Sequence, residues 1–234
     1  MQAVILAGGK GRRLMPYTTV LPKPLMPIGE YPILEVILRQ LDRDGFSDVV
    51  ISTGYLHELI MAYVDNRVFE NIAIRYSHES EPLGTIGPLR LVEGLEDDFL
   101  VMNGDILTDI EYRDLFSFHH RKGGLATIAT YPRDVPIDFG VLECDDDRRI
   151  HSFHEKPTYH FTVSMGIYLF SRDIFEYVPD TGPFGFDDLM MALTGAGAEV
   201  YSYPHDGFWL DIGRPDDYAQ SIEIFEENRD LFLP

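Results

Sequence analysis

The chain has 234 residues, 45% apolar and 25% charged, and 39 Asp plus Glu against 19 Lys plus Arg give a formal charge of −20. That length suits one large domain, or one domain with a smaller lobe, and the apolar share is ordinary for a protein with a real core. So acidic a surface repels nucleic acid polymers, and no run approaches the roughly 18 apolar residues of a membrane span. The excess charge reads as a solvated, solubilising surface or as adaptation to salt. Cys144 is the single cysteine, so no internal disulfide forms, which suits a reducing cytosol. Met1 leads straight into an apolar run without a basic region before it, so no signal peptide is expected and the expected location is cytoplasmic.

In chain order, Gln2–Ala7 reads as a buried strand ending in glycines. Tyr31 to Arg43 has helical spacing at Ile33, Leu34, Ile37, Leu38 and Leu41, with Pro32 in the first turn and Gly45 at the stop. A strand at Asp48–Ser52, a helix from Leu56 to Asn66 and a strand at Ile72–Tyr76 follow. Thr85 to Leu95 is expected to be helical, and Phe99–Met102 is another buried strand, ending at Asn103-Gly104-Asp105. This alternation signals βαβ units and a mainly parallel sheet. The pattern changes after a helix at Glu111–Arg121. Strand-like runs follow at Leu125–Tyr131, Phe139–Cys144, Arg149–Phe153 and Val163–Phe170. Short helices near Arg172–Val178 and Phe186–Leu193 precede strands at Glu199–Tyr203 and Phe208–Leu210, and Pro215 to Asn228 closes as a helix.

The first strand runs directly into Ala7-Gly8-Gly9-Lys10-Gly11-Arg12-Arg13-Leu14. Glycines there let the backbone approach a ligand and leave N–H groups free for phosphates, at the strand end where open α/β sheets bind ligands. The loop matches neither standard nucleotide motif. A dinucleotide fingerprint needs glycine where Leu14 stands, and no G-x-x-x-x-G-K-[ST] run exists. Taken alone it reads equally as a structural turn. Beyond it, Leu21-Pro22-Lys23-Pro24-Leu25 holds a lysine between prolines, which restricts the backbone and pre-positions the ammonium, or simply stiffens a surface loop. Only four lysines exist, and Lys10, Lys23 and Lys156 lie in segments singled out here, with Lys122 the exception.

The combined string G-G-x-G-x-R-L-x-P-x-T followed by P-K-P resembles the sugar-1-phosphate nucleotidylyltransferase family. Further matches come in the family's order. They are Glu81-Pro82-Leu83-Gly84-Thr85, Asn103-Gly104-Asp105, Phe139-Gly140-Val141, His154-Glu155-Lys156-Pro157, Met165-Gly166-Ile167-Tyr168 and Trp209-Leu210-Asp211-Ile212-Gly213. Met165 stands where the family has a small residue and Ile86 where it has alanine, adding bulk near the expected sugar or base. The resemblance implies an α/β, Rossmann-like, mainly parallel mixed sheet flanked by helices with a sugar-binding lobe, of the GT-A-like nucleotide-diphospho-sugar transferase type. It implies one domain over 1–234: a nucleotide-binding half (1–110), a sugar-phosphate half (111–213) and a C-terminal helix (214–234). The C-terminal β-helix of acyltransferase-linked members is not expected.

The implied reaction joins a nucleoside triphosphate to a sugar 1-phosphate, making an NDP-sugar and pyrophosphate. Two anions must meet, so neutralisation and alignment govern the barrier. The resemblance assigns catalysis to Arg13 and Lys23, and nucleotide binding to Leu6, Ala7, Gly8, Gly9, Gly11, Arg13, Lys23, Glu81, Gly84, Thr85 and Asp105. It gives Asn103, Gly140, Glu155, Lys156 and Gly166 to the sugar phosphate. Asp105 and Asp211 would hold Mg²⁺, which binds through one or two carboxylates and takes phosphates and water elsewhere. The short members acting with GTP on mannose- or heptose-1-phosphate are the nearest in pattern. Uridylyl, thymidylyl and cytidylyl members share the motifs, so base and sugar stay open. A non-catalytic relative of the fold is disfavoured by the complete charged set, and an NAD-dependent oxidoreductase by Leu14. A homodimer is common in such enzymes, with no interface legible here. Supply of NDP-sugar for surface glycans is the expected use.

Other polar clusters read as ordinary surface. His119-His120 is expected to be solvated at a helix end, His151 and His154 lack partners at zinc spacing, and Asp145–Asp147 suits a hairpin turn. Phe184-Gly185-Phe186-Asp187-Asp188 suits either a sugar pocket or core packing with a helix cap.

Overall fold

A computed structural model describes residues 1–233. The first half lays down β1 (Gln2–Ala7), the short β2 (Pro27–Ile28) and β3 (Tyr31–Pro32), α1 (Ile33–Arg43), β4 (Asp48–Thr53), α2 (His57–Val64) and β5 (Ala73–His78). Then come β6 (Asp98–Asn103), β7 (Ile106–Thr108), α3 (Tyr112–Lys122), β8 (Ala126–Pro136), β9 (Val141–Cys144), β10 (Ile150–His154) and β11 (Thr158–Ser171). The chain closes with α4 (Phe186–Gly195), β12 (Val200–Pro204), β13 (Trp209–Asp211), α5 (Pro215–Glu227) and α6 (Arg229–Phe232).

Seven strands form the central sheet in the order β12-β8-β11-β6-β1-β4-β5. Four of its six pairings are parallel; β11 runs antiparallel to both β6 and β8. The inner strands β1, β4 and β6 are largely apolar because both of their faces are covered. Ala3 and Ile5 of β1, Val49 and Ile51 of β4 and Leu100 and Met102 of β6 pack on one face with α1, α3, Phe225 and Phe232. The alternate residues Val4, Val50, Phe99 and Val101 pack on the other face against Leu89, Ile174, Leu189 and Leu193. Such two-sided burial explains why continuous apolar runs, rather than alternation, marked these strands.

Several elements differ from the sequence reading. The helix expected over Thr85–Leu95 is only a 3-10 turn at Gly87–Leu91. Gly84 and Gly94 take left-handed φ values of 86° and 68°, and the N–H groups of Ile86 and Gly87 donate to Phe184 O at 3.0 Å each, outside any helix. Arg172–Tyr177 is likewise a 3-10 helix. The strands expected at 125–131 and 163–170 lengthen into a paired arm, Pro132–Pro136 against Thr158–Thr162, that carries the β9–β10 hairpin. His119 is not solvated: it is 2% exposed, with Nδ1 2.8 Å from Thr127 Oγ1. Burial lowers its pKa, while Asp98 pulls it back. His120 does stay exposed. The bulk of Met165 and Ile86 goes into the two cores rather than toward a ligand.

Candidate active site

The glycine-rich loop leaves the carboxyl end of β1 and forms one wall of a cleft of about 1060 Å³. Gly8 lies against the Glu79 carboxylate and the Gly54 backbone. Gly11 needs its φ of 56°, since it turns the chain over Thr18, whose hydroxyl donates to Gly11 O at 2.9 Å. Three consecutive 3-10 turns, Arg12–Leu14, Tyr17–Thr19 and Lys23–Leu25, then fold the basic segment back beneath the loop.

The carboxylates arrive by strand register. Asp105 follows the end of β6, and β7 pairs antiparallel with β13 so that Ile106 faces Asp211. Ile212 N–H donates to Asp105 O at 3.1 Å, locking the two segments together. The Lys23 ammonium is ion-paired with Asp105 and lies 3.8 Å from Asp211. The Arg13 guanidinium and the Asp211 carboxylate both border Gly213. Burial lowers the Lys23 pKa; Asp211 opposes this, and Arg13 adds to it.

All eleven residues expected for the nucleotide line this cleft: Leu6, Ala7, Gly8, Gly9, Gly11, Arg13, Lys23, Glu81, Gly84, Thr85 and Asp105. The residues expected for the sugar phosphate divide. Asn103 lines the cleft, and Gly166, at φ 74° in an irregular stretch of β11, lies against the Asn103 amide, where a Cβ would stand 2.6 Å from Nδ2. Gly140, Glu155 and Lys156 lie outside that wall, on the β9–β10 lobe, where Gly140 packs against the Phe153 ring and Glu155.

Tyr55, His57, His78 and Glu79 also line the cleft and were not singled out from sequence. The His57 and His78 rings stand 4.1 Å apart. Glu79 Oε2 accepts from Leu83 N at 3.0 Å and so holds the turn that presents Gly84. Their signal was positional, since they stand at or just beyond the carboxyl ends of β4 and β5, where ligands bind in such sheets. The segment Phe184–Asp188 proves to be a scaffold. Its Phe184 carbonyl grips Ile86 and Gly87, Asp188 caps α4 at Gly185 N at 2.8 Å, and Phe186 stacks on Tyr168 at 4.3 Å.

A divalent cation fits the Asp105–Asp211 pair in one specific sense. Two acceptor-only carboxylates already converge on one cationic group, the Lys23 ammonium. Among the described residues no cluster of three or more His, Cys, Asp or Glu side chains is placed to hold a metal. The pair therefore suits an ion that takes its remaining oxygens from phosphates and water, not an all-protein cage.

A family model described as "Nucleotidyl transferase" matches residues 2–228. The chain belongs to that family. Its curated members include a UTP–glucose-1-phosphate uridylyltransferase from Synechocystis, 33% identical over this whole chain and 66% of that protein. The mannose-1-phosphate guanyltransferase of Debaryomyces hansenii is 32% identical over 96% of this chain and 64% of its own length. The chain thus spans just under two thirds of those two relatives. It matches nearly end to end the D-glycero-alpha-D-manno-heptose 1-phosphate guanylyltransferase of Aneurinibacillus thermoaerophilus, 35% identical over 94% of this chain and 96% of that one. Among solved structures, HddC from Yersinia pseudotuberculosis superposes with a TM-score of 0.75 at 26% identity, covering 96% of this chain and 99% of that one. The same protein has been solved complexed with GMP-PN. The GT-A-like mixed sheet is therefore the fold of this chain as well as of its relatives.

Proposed function

We propose that this protein transfers a nucleotidyl group from a nucleoside triphosphate to a sugar 1-phosphate, giving an NDP-sugar and pyrophosphate. The observation that carries this reading is the register of β7 on β13, which sets Asp211 beside Asp105 and Lys23 at the foot of the glycine loop. In the reaction, a phosphate oxygen of the sugar 1-phosphate forms a bond to the α-phosphorus, and the bond from that phosphorus to the bridging oxygen of pyrophosphate breaks. Gly8, Gly9 and Gly11 bring backbone to the nucleotide, while Arg13 and Lys23 meet the charge of the triphosphate. Leu6 and Ala7 floor the nucleotide half, and Glu81, Gly84 and Thr85 border the base. Asn103, Gly140, Glu155, Lys156 and Gly166 hold the sugar phosphate, with Glu155 accepting from sugar hydroxyls and Lys156 meeting the phosphate as the cation. Asp105 and Asp211 would hold Mg²⁺, which when bound supplies charge neutralisation at the reacting phosphate.

GTP is the favoured triphosphate, with mannose- or heptose-1-phosphate as acceptor. Guanylyl transfer is the activity named for two of the three relatives above, including the one of matching length. The cleft adds a chemical reason. Glu79 and Glu81 present acceptor-only carboxylates, which complement the neighbouring N1–H and N2–H₂ donors of guanine. The carbonyl-flanked edge of uracil or thymine lacks that pair of donors. The proposed role is NDP-sugar supply in the cytoplasm. A matrix of nucleoside triphosphates against sugar 1-phosphates, read as pyrophosphate release, tests the reading. Turnover with GTP and a manno-configured sugar 1-phosphate is expected. Turnover confined to UTP, TTP or CTP would overturn the base assignment, and none with any pair would overturn the activity.

A further inference from the structure

The wall of the cleft farthest from the carboxylate pair carries two histidines, His57 and His78, that the proposed reaction leaves without a role. Sheet order gives the separation. Asp105 comes just after β6 and the glycine loop just after β1, while His57 opens α2 beyond β4 and His78 closes β5. The order β6-β1-β4-β5 therefore sets His78 three strands over from Asp105, about 14 Å at the usual strand spacing. A nucleotide whose α-phosphorus reacts beside Asp105 and Asp211 extends its base along the carboxyl ends of β1, β4 and β5. Glu79 and Glu81 stand at that same end.

Strand geometry separates His78 from the glutamate beside it. His78 pairs with Thr53 of β4, and the ladder runs one step further, with Glu79 N–H donating to Thr53 O at 2.9 Å. Successive side chains leave an extended strand on opposite sides, so His78 and Glu79 border the base end from opposite sides. Their polar capacity differs as well. Glu79 is an acceptor, and Oε2 already takes Leu83 N–H. Hydrogen bonds tie down His119, His120, His154, His160 and His205, but among the described residues none ties down His57 or His78. An unpartnered imidazole keeps a free N–H donor in either tautomer. His78 is the exposed ring of the two. His57 backs it at 4.1 Å, with its own Nδ1 3.4 Å from Glu58 Oε2. A donor facing acceptor-only carboxylates across one base matches guanine, which carries the acceptor N7 away from its N1–H and N2–H₂ donors. Pyrimidines have no N7, and adenine shares N7 but lacks that pair of donors.

We propose that His78 donates to N7 of the bound purine and that His57 is a positioning residue holding the His78 ring. His78 then selects purine over pyrimidine, while Glu79 and Glu81 select guanine over adenine. This assignment rests on the nucleotide reading given above. Calorimetric binding of GTP and of 7-deaza-GTP, which has C–H in place of N7, tests it with Mg²⁺ present and without turnover. The wild type should bind GTP about three- to tenfold more tightly, the worth of one neutral hydrogen bond. His78→Ala should lose that factor for GTP and leave 7-deaza-GTP unchanged, bringing the ratio to about one. His78→Gln, whose amide still donates, should keep part of the ratio, and His57→Ala should shrink it while GTP still binds. A wild type indifferent to N7, or a ratio unchanged in His78→Ala, would overturn the role of His78 and leave the base assignment standing. GTP bound no more tightly than UTP or CTP would overturn the base assignment, and the role of His78 with it.

Discussion

Replacing Lys23 by Met separates two roles of that side chain. Its side chain is 13% exposed and its ammonium lies between Asp105, whose side chain is 15% exposed, and Asp211, whose side chain is 43% exposed. Removing the cation leaves Asp105 largely dry and without its ionic partner. Breaking a buried pair in this way costs about 3–5 kcal/mol. The low end applies, because Asp211 is partly in water and because the desolvation of Lys23 is relieved at the same time. A loss of about 3 kcal/mol corresponds to a melting temperature lower by roughly 6–12 °C in a domain of this size. Mg²⁺ should restore part of it, since the freed carboxylates no longer have an ammonium competing for them; tenfold saturation returns about 1.4 kcal/mol. Differential scanning fluorimetry with and without Mg²⁺ reads both effects. In single turnover the same variant should lose about 10²–10³-fold in rate, the usual cost of one charge-stabilising donor. Equal Mg²⁺ stabilisation of wild type and variant, or an unchanged melting temperature, would refute the reasoning.

Asp105→Asn should reduce pyrophosphate release by at least about 10²-fold; near-wild-type turnover would remove Asp105 from the metal site. Gly84→Ala combines a left-handed φ of 86° with a Cβ placed 2.6 Å from Phe184 O. The expected cost is about 2–5 kcal/mol in urea unfolding, with a raised KM for nucleotide; an unchanged midpoint and KM would show that the segment yields freely. Burial lowers the pKa of Lys23, so an activity that needs the ammonium is full below that folded-state pKa and declines as pH rises through it. The alkaline limb of kcat/KM should therefore fall below the ordinary lysine range, and Lys23→Arg should move it upward. His119 also has a lowered pKa, chiefly through burial. The unfolded chain then binds the proton more readily, so stability should fall as pH drops through about 6.5 toward the folded-state value. His119→Gln should flatten that slope in urea titrations.

Strands buried on both faces were legible because nothing polar interrupts them, and the spacing of α1 survived because its apolar stripe meets the sheet. The cleft's glycine-rich wall was legible for a related reason: tight backbone turns demand glycine, and an acidic chain must place its few cations deliberately. What sequence concealed was tertiary. Nothing in Thr85–Leu95 announces that Ile86 and Gly87 donate to Phe184 O far along the chain, or that the segment closes only a 3-10 turn between the left-handed Gly84 and Gly94. His119 looked solvated beside His120 because its partner Thr127 lies across the turn at Gly123. The length of the arm was hidden because its outer half alternates polar and apolar residues with no sheet to cover it. Glu79 passed unnoticed because its contribution is a hydrogen bond to backbone at Leu83, which leaves no compositional trace.

The C-terminal helices explain how residues so distant in sequence hold one geometry. Tyr218 of α5 donates to Pro27 O at 2.7 Å, and its ring meets Tyr17 at 6.2 Å. Gly29 lies against Phe225, Arg229 pairs with Glu30, and Gln40 of α1 donates to Phe232 O. The basic segment from Arg12 to Ile28 is therefore pinned from below by the same stretch of chain that begins at Asp211. One covalent run, β13 through α6, both supplies the second carboxylate and braces the loop that carries Arg13 and Lys23. Relative motion of cation and carboxylate would have to break the Ile212–Asp105 hydrogen bond and the α5 packing together. That coupling, more than any single contact, lets a segment built of short 3-10 turns keep Lys23 aligned on Asp105 and Asp211.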